Sequence, residues 1–223
     1  MRKITIAIDG FSSTGKSTLA KQLAKELNYS YVDTGAMYRA VALYAMKNDL
    51  SHKQLISSLD QININFKFLE ETQANTTFLN GKNVEQEIRG MEVSNRVSEI
   101  ATISEVRAEL VRQQKEMGKN KAVVMDGRDI GTVVFPDAEL KIFMTADPEI
   151  RAKRRHDELL AKGDAPSFEE VYNNLQKRDN EDRNRLDSPL LQAKDALVLD
   201  NSEITHEQQF AQALDWAKEK ITE

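Results

Sequence analysis

The strongest constraint on the fold is a glycine-rich segment near the start of the chain, which separates an apolar run from an amphipathic one. Residues 4–9 are rich in β-branched and apolar side chains and predict a buried strand. The next segment, Gly10-Phe11-Ser12-Ser13-Thr14-Gly15-Lys16-Ser17, fits the pattern G-x-x-x-x-G-K-[ST]. From Lys16 to Leu27, leucines and alanines recur at helical spacing. The order of strand, glycine-rich turn and helix indicates a phosphate-binding loop rather than a chance turn.

Each part of this loop has a chemical reason to bind a polyphosphate. The glycines let successive N–H groups point inward, and the helix N-terminus behind them adds positive partial charge. Lys16 can reach the β- and γ-phosphates, and the Ser17 hydroxyl can ligate Mg²⁺. We therefore expect ATP or GTP here. The expected nucleotide contacts are Gly10, Phe11, Ser12, Ser13, Thr14, Gly15, Lys16, Ser17 and Thr18.

Composition excludes several other functions. The 223 residues include 31 Lys and Arg against 36 Asp and Glu, and an acidic balance opposes general binding to nucleic acid. With no Cys and only three scattered His, thiolate chemistry and Cys-rich zinc sites are excluded. No apolar run approaches the ~20 residues of a membrane span, and the N-terminal run is too short for a signal peptide. We expect a cytoplasmic protein with no nucleic-acid or membrane partner.

The order of strands and helices predicts an α/β fold in three layers, the P-loop NTPase fold. Further strands are predicted at 29–32, 122–126, 140–146 and 196–199, giving a central parallel five-stranded sheet. The main flanking helices are predicted at 91–118, from 147 to the break at 163–166, at 167–185 and at 205–221. Residues 62–68 alternate in polarity and Asn80-Gly81 favours a hairpin, so this part predicts a small antiparallel insert.

Acidic and basic side chains follow two of these strands. Asp126 ends an apolar strand, where it could bind Mg²⁺ through water or serve only as a helix cap. Asp33 follows the strand predicted at 29–32, at the edge of the sheet where ligands bind in such folds. One turn into the next helix, Arg39 could bind a second phosphate as a fork, or it could be a solvated side chain.

Basic residues flank the break at 163–166. They are Arg151, Lys153, Arg154, Arg155, Arg178, Arg183 and Arg185. In an arbitrary chain such residues form a solvated helical face, but beside a phosphate loop they favour a helical lid. We expect Arg154 and Arg155 to contact ATP. Arg151 and Lys153 are expected to be surface charge, as is His156.

Taken together, four segments resemble the bacterial cytidylate kinases, which are nucleoside monophosphate kinases with a phosphate loop. The segments are residues 9–18, Asp33-Thr34-Gly35-Ala36-Met37-Tyr38-Arg39, residues 126–136 beginning Asp126-Gly127-Arg128-Asp129, and residues 178–185. Their order and spacing match along nearly the whole chain. One departure is Phe11, where the family usually has Pro. This position contributes backbone, so we expect little functional change.

The resemblance implies one P-loop kinase domain, 1–223, that uses ATP and Mg²⁺ to phosphorylate CMP and dCMP, and it suggests a monomer. Its core would comprise 1–60, 89–150 and 190–223, with a nucleoside-monophosphate-binding insert at 61–88 and the lid with its flanking helices at 151–189. The implied CMP contacts are Ser12, Asp33, Ser98, Arg107 and Asp129 for base and sugar-phosphate, Arg178 and Asp182 for ribose, and Arg39, Arg128 and Arg185 for phosphate. Catalysis would depend on Lys16, Arg39, Arg128 and Arg185.

The chemistry of cytosine agrees with these assignments. Arg107 can donate to the carbonyl oxygen and ring nitrogen, and Asp129 can accept from the exocyclic amine. Uracil carries a carbonyl in place of that amine, so an acid here would discriminate against it.

Two alternatives stay open on the residues alone. One is another small phosphate-loop kinase, acting on UMP or a small metabolite. The other is a GTP-binding switch, which needs an Asn-Lys-x-Asp segment. The nearest candidate, at 120–123, lacks the Asp, and Asp126 is followed at once by Gly127 rather than by an Asp-x-x-Gly pattern.

Overall fold

The computed structural model describes residues 2–71, 74–161 and 163–223, which form two compact units. The first unit comprises the chain up to Tyr31 and from Gly118 to the end, and the second comprises Val32–Met117. Both chain crossings between the units therefore lie in the first 118 residues. Among the described residues, no helix is both long enough and apolar enough to cross a membrane.

The first unit is built around a parallel sheet. Its strands are β1 (Thr5–Gly10), β2 (Ser30–Asp33, which continues into the second unit), β6 (Val123–Asp126), β7 (Leu140–Thr145) and β8 (Leu197–Asp200). Its helices are α1 (Lys16–Leu27), α6 (Pro148–Ala161), α7 (Phe168–Asn184) and α8 (His206–Thr222). In the part of the chain that is described, the sheet order is β2-β6-β1-β7-β8, which confirms the predicted five-stranded α/β fold.

The core of this unit explains why β1 is central. Ile4, Ile6 and Ile8 are fully buried and share one apolar cluster with Leu19 and Leu23 of α1. β1 runs parallel to both β6 and β7, so the phosphate-loop segment leaves the sheet at its middle strand. The loop therefore begins between the carboxyl ends of β6 and β7.

The second unit combines helices with a small antiparallel sheet. Its elements are α2 (Thr34–Lys47), α3 (His52–Ser57), β3 (Ile64–Leu69), β4 (Ala74–Leu79), β5 (Lys82–Asn83), α4 (Met91–Ile100) and α5 (Ser104–Met117). β3 pairs antiparallel with β4, and β4 with β5 through a turn at Asn80-Gly81, both with positive φ. This confirms the predicted hairpin. Ile62 and Ile64 are buried and Asn63 is exposed, as the alternating pattern indicated.

Three local features differ from the sequence prediction. The helix predicted at 91–118 is two helices, because it ends in a tight turn at 101–103 where the Thr102 hydroxyl donates to the carbonyl of Glu99. The short helix α3 was not predicted. Its N-terminus is capped by a reciprocal capping box of Ser51 and Gln54. A single π-helical turn, Ile130–Val134, follows β6, where sequence periodicity gave no signal.

Candidate active site

The phosphate loop has positive φ at both of its glycines, as the sequence led us to expect, and also at Ser13, which was not expected. Gly10, Ser13 and Gly15 have φ of 143°, 59° and 86°. A Cβ at Gly10 would lie 2.0 Å from the carbonyl oxygen of Met144 in β7, so a side chain cannot fit there. The loop passes directly against the neighbouring strand before its residues turn into α1.

Lys16 lies inside this loop rather than on its surface. Its side chain is buried, and Nζ donates to the carbonyl oxygen of Phe11 at 2.5 Å. Burial and the nearby positive charge of Arg128 lower the pKa of Lys16 to about 7. Because phosphate oxygens are strong anionic acceptors, a polyphosphate in the loop would favour the charged form of Lys16.

Ser17 and Asp126 lie together at the end of the loop. The Ser17 hydroxyl donates to Asp126 Oδ2 at 2.8 Å, and the Tyr31 hydroxyl donates to Oδ1 at the same distance. A hydroxyl beside a buried carboxylate is an all-oxygen donor pair of the kind that Mg²⁺ accepts with nucleotide and water ligands. No group of three or more His, Cys, Asp and Glu within the described ranges could hold a metal ion. The two residues fit a Mg²⁺ that is held chiefly by nucleotide and water.

A charged network joins Ser12 of the loop to several predicted CMP contacts. Arg128 donates from Nη2 to the Ser12 hydroxyl at 2.8 Å and from Nε to Asp182 at 2.7 Å. Arg185 lies 3.4 Å from Asp182 and 3.9 Å from Asp129. Burial alone would raise the pKa of Asp182, but the charge and hydrogen bond of Arg128 hold it below its ordinary value. The first unit thus brings together these five predicted residues.

Arg178 belongs to the same region of α7. Its positive charge is among the causes that lower the pKa of Asp182, after the larger contribution of Arg128. The predicted ribose contacts therefore lie near one another on one helix. Their role in binding ribose stays a prediction.

Asp9 of β1 binds the segment that directly follows Arg128 and Asp129. The sequence analysis gave this residue no role. Its carboxylate accepts from the backbone N–H groups of Ile130 and Gly131 at 2.8 and 2.7 Å. These bonds fix the start of the π-helical turn, immediately after Arg128 and Asp129. Burial raises the pKa of Asp9 to about 7, although both hydrogen bonds act in the opposite direction.

The basic residues of α6 differ in their surroundings. Arg154 donates to the side-chain and backbone oxygens of Asn201, and Asn201 donates to the carbonyl of Thr14 in the phosphate loop. Arg155 pairs with Glu158 on its own helix. Contact of Arg154 and Arg155 with ATP stays a prediction.

Arg151 is not the surface charge that the sequence suggested. Its side chain is only 5% exposed, and it pairs at 2.5 Å with Asp179 of α7, which is likewise buried. Lys153 is exposed, as expected, and His156 is partly exposed, with 23% of its side chain accessible. Helical periodicity could not identify Arg151 because its buried partner lies on another helix.

The second unit contains the other predicted acceptor residues. Asp33 caps α2 by accepting from the N–H of Ala36, and it also accepts from Arg89 at 2.8 Å. Burial alone would raise the pKa of Asp33, but Arg89 and Arg39 hold it below its ordinary value. A Cβ at Gly35 would lie 3.2 Å from Asp33 and 3.5 Å from Arg39, so the glycine leaves space for the guanidinium.

Arg107 and Ser98 lie on helices that flank α2 in this unit. Arg107 is buried, donates to the carbonyl of Ala101, and lies 5.5 Å from the ring centre of Tyr38 on α2. Ser98 is half-buried on α4, which packs against α2. The unit therefore carries Asp33, Arg39, Ser98 and Arg107.

Arg89 is the functional candidate that the sequence analysis missed in this unit. It bonds both Asp33 and Glu85, and Glu85 accepts from the backbone and hydroxyl of Thr77 in β4. This chain of bonds connects the small sheet to the N-terminus of α2. The acidic residues that precede Arg89 were the available signal in the sequence. Asp33, the partner that Arg89 binds at the N-terminus of α2, lies 56 positions away.

A parallel sheet whose central strand leads through a phosphate loop into a helix defines the class of P-loop NTPases. Solved structures agree on the fold. A shikimate kinase from Bacteroides thetaiotaomicron matches with a TM-score of 0.51 at 13% identity, covering 100% of both chains. A gluconokinase from Sinorhizobium meliloti matches with a TM-score of 0.52 at 12% identity, covering 99% of this chain and 96% of the other. At these identities the likeness shows the fold alone.

Sequence comparisons are much more specific. A family model described as cytidylate kinase matches residues 6–219. The chain is 60% identical to a cytidylate kinase of Flavobacterium johnsoniae over 99% of both chains. It is 59% identical to one of Parabacteroides distasonis over 96% of both. The chain belongs to the cytidylate kinase family.

Proposed function

We propose that the protein transfers the γ-phosphoryl group of ATP to the 5′-phosphate of CMP and dCMP, giving CDP and dCDP. The observation that carries this proposal is the network around Ser12. It joins a residue of the phosphate loop, through Arg128, to Asp182 of α7, a predicted ribose contact. Membership of the cytidylate kinase family supports the same donor and acceptor.

The transfer needs little acid–base chemistry from the protein. The acceptor oxygen of a nucleoside monophosphate is already largely anionic near neutral pH. The main obstacle is repulsion between two polyanions that must meet in line. Lys16 and Arg128 neutralise charge on the transferring group, and Arg39 and Arg185 bind the acceptor phosphate.

Base selection is assigned to Asp129 and Arg107. Asp129 is buried, and its carboxylate can accept a hydrogen bond from the exocyclic amine of cytosine. A uracil carbonyl would instead oppose the carboxylate. Arg107 supplies the donors for the cytosine carbonyl and ring nitrogen.

Mg²⁺ is the proposed cofactor. The Ser17 hydroxyl would coordinate it directly, and Asp126 would bind it through a water molecule. When bound with ATP, the ion would neutralise phosphate charge and orient the terminal phosphates. The remaining contacts to the nucleotide come from the loop amides and Lys16. We further propose that the protein acts as a monomer in the cytoplasm.

The test is a coupled assay of ADP formation with CMP, dCMP, UMP, AMP and shikimate as acceptors, each with ATP and Mg²⁺. CMP and dCMP should give the highest kcat/KM, with UMP well below them. Nucleotide chromatography should show CDP and dCDP as the products. Failure to form CDP, or equal use of UMP, would refute the proposed function.

A further inference from the structure

The backbone N–H and carbonyl of Ser12 are bound by two buried residues, one from α6 and one from α7. Asp179 Oδ1 accepts from the Ser12 N–H at 3.2 Å, and Arg151 Nη1 donates to the Ser12 carbonyl at 3.2 Å. Arg151 and Asp179 also bind each other at 2.5 Å. Both polar groups of one loop residue are therefore bound by a single ion pair.

The surroundings of this pair limit its freedom. Arg151 also donates from Nε to the carbonyl of Ala146, and its guanidinium lies 5.3 Å from the ring centre of Phe11. The guanidinium of Arg183 lies 4.5 Å from the same ring. Phe11 of the phosphate loop therefore contacts one arginine from α6 and one from α7.

The two helices that supply these residues form a packed pair. Ala152 and Leu159 of α6 share an apolar cluster with Val171 and Leu175 of α7. A shift of either helix would therefore be transmitted to the residues that bind Ser12. The loop and the helix pair are joined at defined atoms rather than by general packing.

Helix α7 also carries predicted acceptor contacts on either side of Asp179. Arg178 precedes it, and Asp182 follows one helical turn later. We propose that Arg151 and Asp179 are positioning residues for phosphoryl transfer. They hold the backbone of Ser12 at a fixed position relative to α7. The donor loop and the ribose-binding side of α7 then move as one piece.

This inference rests on the proposed function, because it concerns alignment between the ATP and CMP sites. A positioning role predicts a loss in kcat that exceeds the change in either KM. Displacement of reacting groups by about 1 Å can reduce turnover on the order of 100-fold. A purely structural role would instead lower the melting temperature and leave the folded enzyme with normal turnover.

The experiment compares Asp179→Asn with Glu181→Gln, which removes a partly exposed carboxylate, paired with Lys177, from the same helix. We expect the folded Asp179→Asn enzyme to lose about 10- to 100-fold in kcat, with each KM changed by less than about threefold. Glu181→Gln should keep wild-type turnover. A kcat for Asp179→Asn within about twofold of this control would overturn the proposal.

A paired variant covers the case in which Asp179→Asn fails to fold, because it leaves Arg151 buried without its counter-charge. Arg151→Met with Asp179→Leu removes both charges together, which proteins often tolerate. Its kcat should also fall about 10- to 100-fold at a temperature where circular dichroism shows it folded. Wild-type turnover in this variant, or failure of both variants to fold, would overturn the positioning role. Wild-type enzyme assayed alongside separates this result from failure of the proposed function, since only the latter abolishes CDP formation in the wild type.

Discussion

The buried carboxyl of Asp9 makes stability depend on pH in a direction opposite to that of a carboxylate in a salt bridge. Its pKa rises from an ordinary 3.8 to about 7 because of burial. Below the lower value the carboxyl is protonated in both the folded and the unfolded state. Between the two values the unfolded chain releases the proton and the folded chain keeps it, so the free energy of unfolding falls as pH rises.

The size of this effect follows from the shift. One pKa unit corresponds to about 1.4 kcal/mol, so the full effect is on the order of 4 kcal/mol. Asn at this position has similar shape and does not titrate. Compared with Asp9→Asn, the wild type should therefore lose about 3 kcal/mol of stability between about pH 4.5 and about pH 8.

The assay is urea unfolding of both proteins across that pH range, followed by circular dichroism. Asp137→Asn, which removes an exposed carboxylate after the same π-helical turn, is the control for net charge. Asp9→Asn itself should be destabilised at low pH, because its amide group points one N–H at a backbone donor. A stability difference that stays constant within about 1 kcal/mol across the range would refute this account of Asp9.

Three further predictions concern activity. Lys16→Met should lower kcat by at least about 100-fold, because the charge that stabilises the transferring group is lost. The melting temperature should not fall, since an apolar side chain replaces a buried cation. Normal turnover would show that Lys16 takes no part in the reaction. Asp129→Ala should raise KM for CMP and reduce the CMP/UMP ratio of kcat/KM about 10-fold or more, and an unchanged ratio would contradict base selection there. Replacing residues 64–83 by a short Gly-Ser linker should raise KM for CMP more than KM for ATP. Equal increases would mean that the small sheet is only structural.

The elements that could be predicted from the sequence are those whose signals are local. The phosphate loop is specified by consecutive residues between a strand and an amphipathic helix, and the hairpin by Asn80-Gly81. The five strands were recognised because short apolar runs alternate with helical segments. The same local rules failed at residues 101–103, where the backbone N–H groups of Thr102 and Ile103 bond three residues back and the Thr102 hydroxyl also bonds the carbonyl of Glu99.

The site was less predictable because its partners are distant in sequence. Ser12 contacts Arg151 across 139 positions and Asp179 across 167. Asp9 reaches the turn at Ile130 across 121 positions. A basic residue in a charged helix is usually solvated, so nothing local distinguishes Arg151 from Lys153. Ser98 and Arg107 were identified by family resemblance rather than by any pattern in their own helices.

The placement of β1 has a consequence for how the chain is made. β1 leaves the ribosome well before its partners, which begin at Val123 in β6 and Leu140 in β7. The second unit, by contrast, is one continuous stretch that is complete once Met117 has emerged. During synthesis the nascent β1 must wait for more than a hundred residues before it gains a neighbour. The second unit can therefore fold before β1 has gained either neighbour.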